Sequence, residues 1–193
     1  VSQDGRGWPA HGTAGFVRPA RSGDAASLAR VQVASWRRSF AGIVPDALLA
    51  ELTGDEAESV WRDRWLEAIT NPPTSRHYVL AAVADAPPRE LVGFASAGPA
   101  TDTDRWPGTD AELYELRITP EQTGHGHGSR LLHAVADTLA QDGFHTLCTW
   151  ALEADTALRG FLEASGWAAD GARGELDVGT SVRVIRLHTT ISE

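Results

Sequence analysis

Lysine is absent from this chain of 193 residues, and all 17 basic side chains are arginine. A phosphate loop of the Walker A kind depends on a lysine and is therefore excluded, as is Schiff-base chemistry on a lysine amine. Cysteine occurs once, as Cys148. One thiol permits no internal disulfide and no multi-thiolate metal site, and its place in the apolar run HTLCTWAL marks it as a buried structural residue. No stretch approaches the ~20 apolar residues of a membrane span, and the printed N-terminus shows no basic-then-apolar signal pattern. A cytoplasmic location is the expectation. Positive charge is also scarce: 17 basic against 26 acidic side chains leave a net charge of −9. That balance argues against nucleic acid or an anionic membrane as the main partner and favours a cationic small molecule. Asparagine is nearly missing too, while Ala, Gly, Arg and Trp are abundant, a codon bias that points to a GC-rich bacterial genome.

What is present fits one well-buried domain, with 42% hydrophobic and 22% charged residues. Residues 1–14 are rich in Gly, Pro and polar side chains and read as a loose tail, leaving 15–193 as the domain. GFVRPA (15–20) is a short strand cut by Pro19. A helix capped by Ser22 or Asp24 follows, with Leu28, Val31, Trp36 and Phe40 broadly on one side. A second short helix starts near Pro45, and a third spans 55–70, with Trp61, Trp65 and Ile69 at spacings of four as a core stripe. Two strands, 77–85 and 90–100, flank the turn APPR. The linker TDTDRWPGTD (101–110) reads as a surface loop. A strand Glu112–Thr119, a helix ending near Gln141, a strand 145–152, a helix 155–167 and a last strand 181–191 complete the chain. Edge strands after residue 175 are able to pair across a homodimer. The element order gives one mixed sheet with helices on both faces.

The stretch PEQTGHGHGSRLL (120–132) lies at a strand-to-helix turn, with glycines at 124, 126 and 128. Bare backbone there presents unpaired N–H groups, and the helix dipole favours an anion. Four readings compete. The glycines can serve turn shape alone. A dinucleotide fingerprint needs a third glycine where Ser129 stands, and normally opens the first βαβ unit. A metal site from His125 and His127 lacks a cysteine or a second histidine cluster to complete it, so no metal is expected. A pyrophosphate held by successive backbone amides fits best. His125 and His127 then point mostly away from the phosphate, although a charged His125 can add a hydrogen bond.

The run LRITPEQTGHGHGSRLL resembles the acetyl-coenzyme-A signature of the GNAT N-acetyltransferase superfamily, (Q/R)-x-x-G-x-(G/A). Its core here is Thr123-x-x-Gly126-x-Gly128, with Ser129 opening the helix. Thr123 departs from Gln or Arg at a position whose backbone amide does most of the work. The resemblance covers about residues 15–191. It implies an α/β (mixed α+β) domain with a central, largely antiparallel mixed sheet of about seven strands. It also implies acetyl-CoA as cosubstrate. Backbone groups of Leu116, Arg117 and Ile118 would pair with the pantetheine arm as an added strand would, and amides of Gly124, His125, Gly126, His127, Gly128 and Ser129 would hold the pyrophosphate. A later family motif, Asn-x-x-Ala-x-x-x-Tyr, matches DTALRGFLEASGW in part. Asp155 stands for the asparagine, Leu158 for the alanine and Leu162 for the tyrosine that commonly protonates the thiolate, while Phe161 keeps an aromatic beside the cofactor. Acid help then passes to solvent, to Tyr114 or to nothing, since a thiol of pKa ~8.5 can leave as thiolate.

Acetyl transfer requires an ammonium to lose its proton and a thioester carbonyl to be polarised. Glu112 and Glu115 are the candidate bases. Strand alternation puts Glu112 with Tyr114, Leu116 and Ile118 on one face and Glu115 on the other. Family members that carry a base glutamate six residues before the strand's last apolar residue favour Glu112, and the N–H of Ile118 is the candidate oxyanion donor. Trp36, Phe40, Tyr78 and Trp106 are candidate walls for the amine, Trp106 because a large aromatic in a polar loop needs a reason. The expected activity is transfer of acetyl to a primary amine by direct attack. A non-catalytic acyl-CoA-binding or regulatory domain on the same fold is the alternative.

Overall fold

Apolar spacing sets the layers of the fold. A computed structural model describes residues 15–85 and 87–191; the expected N-terminal tail lies outside the described residues. In order they form β1 (Phe16–Pro19), α1 (Ala25–Ser39), α2 (Asp46–Thr53), α3 (Ala57–Thr70), β2 (Tyr78–Val83), β3 (Leu91–Pro99), β4 (Asp110–Ile118), α4 (His127–Gln141), β5 (Thr146–Leu152), α5 (Thr156–Ala164), β6 (Ala168–Asp177) and β7 (Ser181–Thr190). The strands make one sheet in the order β1-β2-β3-β4-β5-β7-β6. Every neighbouring pair is antiparallel except β4–β5, which is parallel. The mixed, largely antiparallel sheet of seven strands is thus observed.

Leu131, Leu132, Val135 and Leu139 recur at helical spacing on α4 and are buried together with Ala95, Ala97, Leu113, Leu147 and Leu187 of the sheet and Leu162 of α5. On the opposite face, Leu28, Ala29 and Val31 of α1 and Trp65 of α3 close over Phe94 of β3. The aromatic stripe of α3 is core, as its spacing predicts. Trp65 meets Phe94 edge-on at 4.8 Å, and Trp61 meets Trp36 in the same way at 4.8 Å. The indole N–H of Trp65 donates to Gln32 at 2.5 Å, which satisfies two polar groups that burial would otherwise penalise. Cys148 is buried, and burial pushes its thiol up to about 12.

Strand β6 is the element that periodicity does not reveal. Its sequence AADGARGELD lacks apolar alternation because it forms a sheet edge with most side chains in solvent, Leu176 included. Among the described residues no helix is long and apolar enough to cross a membrane.

Two departures from ideal pairing shape the centre of the sheet. Parallel pairing between β4 and β5 is confined to Asp110–Glu112 against Thr146–Cys148, so the strands part beyond Glu112. On its other side β4 carries a bulge: Ser96 pairs with Glu115 and Ala97 with Leu113, leaving Tyr114 without an opposite residue.

Candidate active site

The gap between β4 and β5 begins where the parallel ladder ends, and its backbone is available. Thr119 N–H donates to Val92 O at 2.8 Å, which makes Thr119–Val92 a bonded pair. The next bonded pair of the antiparallel ladder is then Arg117–Phe94, and Leu116 and Ile118 direct their N–H and C=O away from β3 into the gap. Arg117, expected to offer its backbone there, offers its side chain instead, because its main chain is committed to β3.

At the end of β4 a short 3₁₀ turn, Pro120–Gln122, leads to the glycines. Gly124 and Gly126 sit at φ +79° and +78°, left-handed backbone that a side chain disfavours. A Cβ at Gly126 would lie 3.2 Å from the Arg130 guanidinium, and one at Gly128 would lie 3.1 Å from the Phe161 ring. Helix α4 starts at His127, and among the described residues no N–H from Gly124 to Ser129 has a backbone or side-chain acceptor. Successive free donors at a helix N-terminus are what an anion needs. The histidines turn aside. His127 is buried, accepts from Arg130 at 3.1 Å through Nδ1 and packs toward Gly15. Burial first, then the Arg130 charge, lowers its pKa, which favours the neutral ring. His125 is exposed with Nδ1 3.0 Å from Thr123 O.

A cavity of about 500 Å³ joins these parts, lined by Leu116, Arg117, Ile118, Thr123, the three glycines, Ser129, Asp155 and Phe161. Ser35, Ser39 and Leu158 also line it. The Ser39 hydroxyl is buried without a hydrogen-bond partner among the described residues. No sequence signal marks Ser35 or Ser39, whereas Leu158 stands in the later family motif. A second cavity of about 450 Å³ lies on the other side of Arg117, Asp155 and Leu158, which line both. Its remaining walls include Phe40, Tyr114, Glu115, Trp150, Glu175 and Leu176.

Several expectations need correction. The bulge at Tyr114 reverses the parity of β4. Ala111 and Leu113 before it, and Leu116 and Ile118 after it, all pack into the α4 core. Glu112 and Glu115 therefore share the opposite face and are not separated by the sheet. Of the four aromatics expected to wall the amine site, only Phe40 lines a cavity. Trp36 is buried in its stack with Phe40 and against Trp61. Tyr78 donates to Asp142 at 2.5 Å, and Trp106 is exposed over Gly108. Leu162 is fully buried in the core, facing neither cavity, so that position cannot present an acid whatever its chemistry.

The carboxylates differ in environment. Glu112 is half-buried and accepts from Thr101 N–H at 3.3 Å and Thr101 Oγ1 at 3.0 Å. Burial raises its pKa more than these bonds lower it, and the nearby Asp102 adds to the rise. Tyr114 donates to Pro99 O at 2.7 Å and is pushed up to about 12 by burial and by Glu112. Glu115 is paired with Arg117 at 2.6 Å. Behind Trp150, Arg186 binds Asp102, Asp104 and Asp170 at 2.6–2.7 Å, and Arg105 also reaches Asp170. That knot fastens the loop after β3, which carries Thr101 and hence Glu112, to β7.

The acetyltransferase (GNAT) family profile matches residues 46–167. The chain belongs to this family. As a GNAT acetyltransferase it is 31% identical over 142 residues, 74% of each chain, to the uncharacterized N-acetyltransferase YuaI of Bacillus subtilis (strain 168). In fold it is similar to the PaiA N-acetyltransferase of Thermoplasma acidophilum, a structure in complex with coenzyme A. The TM-score is 0.68 at 18% identity over 90% of this chain and 98% of that one. It is also similar to yncA of Salmonella typhimurium, a structure with its cofactor acetyl-CoA, with a TM-score of 0.63 at 16% identity over 94% and 96%. The GNAT domain thus places its signature turn at one end of the β4–β5 gap and its acidic face at the other.

Proposed function

We propose that this enzyme transfers the acetyl group of acetyl-CoA to a primary amine by direct attack, with no covalent enzyme intermediate. The observation that carries the reading is the continuous cavity from the free N–H groups of Gly124–Ser129 to the unpaired backbone of Leu116 and Ile118. Its glycine cradle fits a pyrophosphate, and its strand edge fits an amide-bearing arm added as a strand. Acetyl-CoA supplies an activated acetyl thioester there.

The chain's own residues then have separable tasks. Ile118 N–H, free of the β3 ladder, donates to the carbonyl oxygen that gains charge. Glu112 takes the ammonium proton, directly or through water, and its raised pKa brings it closer to the pH at which a base works best. The amine nitrogen bonds to the acetyl carbon, the carbon–sulfur bond breaks with its electron pair leaving on sulfur as thiolate, and the second proton of the nitrogen passes to that thiolate or to solvent, leaving the amide. Glu115 is the second reading for the base because its carboxylate lines the acceptor-side cavity. It ranks second because its carboxylate is already engaged by Arg117 at 2.6 Å.

The test is thiol release from acetyl-CoA with a panel of primary amines, alongside thermal shift. CoA should raise the melting temperature, whereas NAD and ATP should not. No release with any amine, or equal shifts from all three nucleotides, would refute the reading.

A further inference from the structure

We propose that the acceptor is a cationic primary amine on an apolar aryl or alkyl body, without a carboxylate, and that Asp155 anchors its ammonium group. The inference rests on the acetyl-transfer reading and names the substrate class of that site.

Asp155 stands at the junction of the two cavities, before the first turn of α5, and is 6% exposed. Its Oδ1 accepts the N–H of Leu158 at 3.0 Å and so caps the helix. Among the described residues Oδ2 receives no donor, and no salt bridge reaches the carboxylate. That oxygen opens to the cavities, where water or a ligand supplies its donor. An ammonium entering from the acceptor side brings both charge and N–H groups to that oxygen, next to the gap where an acetyl group would lie.

The walls of the second cavity complete the description. Phe40, Trp150, Leu176 and Val184 give it a largely apolar lining suited to a ring or an alkyl chain. Among the described residues Arg117 is the one cation lining it, and Glu115 offsets its charge: Nε donates to Glu115 at 2.6 Å while the guanidinium lies 5.3 Å from the Phe40 ring. Glu175 adds a further negative charge at the wall. Among the described lining residues a substrate carboxylate would meet three carboxylates, Asp155, Glu115 and Glu175, against the single cation Arg117, and like charges in excess discriminate against it.

Three amines with one aryl body separate the cases: 2-phenylethylamine, phenylalaninamide and phenylalanine, followed by thiol release at saturating acetyl-CoA. We expect the first two to exceed phenylalanine in kcat/KM by about tenfold or more. Asp155→Asn keeps the helix cap and the size while removing the charge. It should raise KM for 2-phenylethylamine about tenfold and leave the Kd of CoA by calorimetry unchanged. Phenylalanine turning over as well as 2-phenylethylamine overturns the proposal. So does an Asp155→Asn variant that loses CoA affinity and keeps its amine KM, because the carboxylate would then serve the pantetheine arm. Turnover confined to amines polar throughout, such as spermidine or glucosamine, overturns the apolar body and leaves acetyl transfer standing. Absence of release with every amine removes acetyl transfer itself.

Discussion

Replacing Arg186 with methionine should cost the protein about 3 kcal/mol of stability and disturb the pH dependence of catalysis through a residue that touches no cavity. The magnitude follows from who is left behind. The Arg186 side chain is 5% exposed and serves Asp170, Asp102 and Asp104, whose side chains are 13%, 23% and 62% exposed. Removing one partner of a buried ion pair typically costs about 3–5 kcal/mol. Asp104 returns to water and adds little, and Asp170 keeps Arg105, which together set the expectation at the low end. For a chain of this size that corresponds to a fall of roughly 6–12 °C in Tm, measured by calorimetry near pH 7. The pH dependence supplies a second check. Hydrogen bonding to Arg186 holds Asp104 down at about 2, and bonds from Ala172 N–H and Arg186 lower Asp170 against the opposing effect of burial. Groups with depressed folded pKa values stabilise fully above the unfolded value of about 3.9 and lose that contribution as pH falls through the folded one. The Tm gap between wild type and Arg186→Met should therefore be widest at neutral pH and close between about pH 4 and pH 2. Arg186 also opposes the rise of the Glu112 pKa, so the acidic limb of kcat/KM should move to higher pH in the variant. A Tm within about 2 °C of wild type, or a gap that widens on acidification, would refute the account of the knot.

Gly126→Val places a β-branched residue at φ +78° against Arg130 and covers the anion cradle; calorimetry should show CoA affinity reduced at least tenfold, and unchanged affinity would remove the phosphate-loop reading. Glu112→Gln should lower kcat/KM by about 10²–10⁴-fold and erase the acidic limb of the pH profile, which lies above the usual carboxylate range because burial raises Glu112. Glu115→Gln should lose less because its charge is tied to Arg117, and a larger loss there would exchange the two roles. Leu162→Tyr should fail as a graft of an acid and instead lower stability by about 1–3 kcal/mol through overpacking, since Leu162 is fully buried; an unchanged Tm with faster turnover would place that side chain in the cavity after all.

The fold and the open backbone of the glycine turn were legible because each rests on local rules. The spacing of Leu131, Val135 and Leu139 can satisfy only a helix with one buried face, and glycines at 124, 126 and 128 after a strand leave donors that nothing nearby can fill. Strand β6 escaped because a solvent-exposed edge imposes no apolar period on AADGARGELD. The acceptor side was the least legible part. Its walls come from the end of α1 and from β4, β5, α5, β6 and β7, so Phe40, Tyr114, Trp150, Leu158, Leu176 and Val184 meet through topology rather than through spacing.

The relation of Glu112 to Glu115 shows the limit most sharply. In an unbroken strand three residues of separation put two side chains on opposite faces, and ELYELRI read at a constant period of two shows no break. The break lies in β4, where it pairs with β3. Core packing demands that Leu113 and Leu116 both lie under α4, three residues apart, and a strand can meet that demand only by spending one residue outside the ladder. Tyr114 is that residue, and its hydroxyl is drawn to Pro99 O at 2.7 Å. The spacing of Leu113, Leu116 and Ile118 therefore holds the signal in principle: one odd interval followed by an even one. Read as an interrupted alternation, it brings both carboxylates to the face where α1 lends Phe40. The bulge thus gathers Glu112, Tyr114 and Glu115 on one side of a strand that would otherwise divide them.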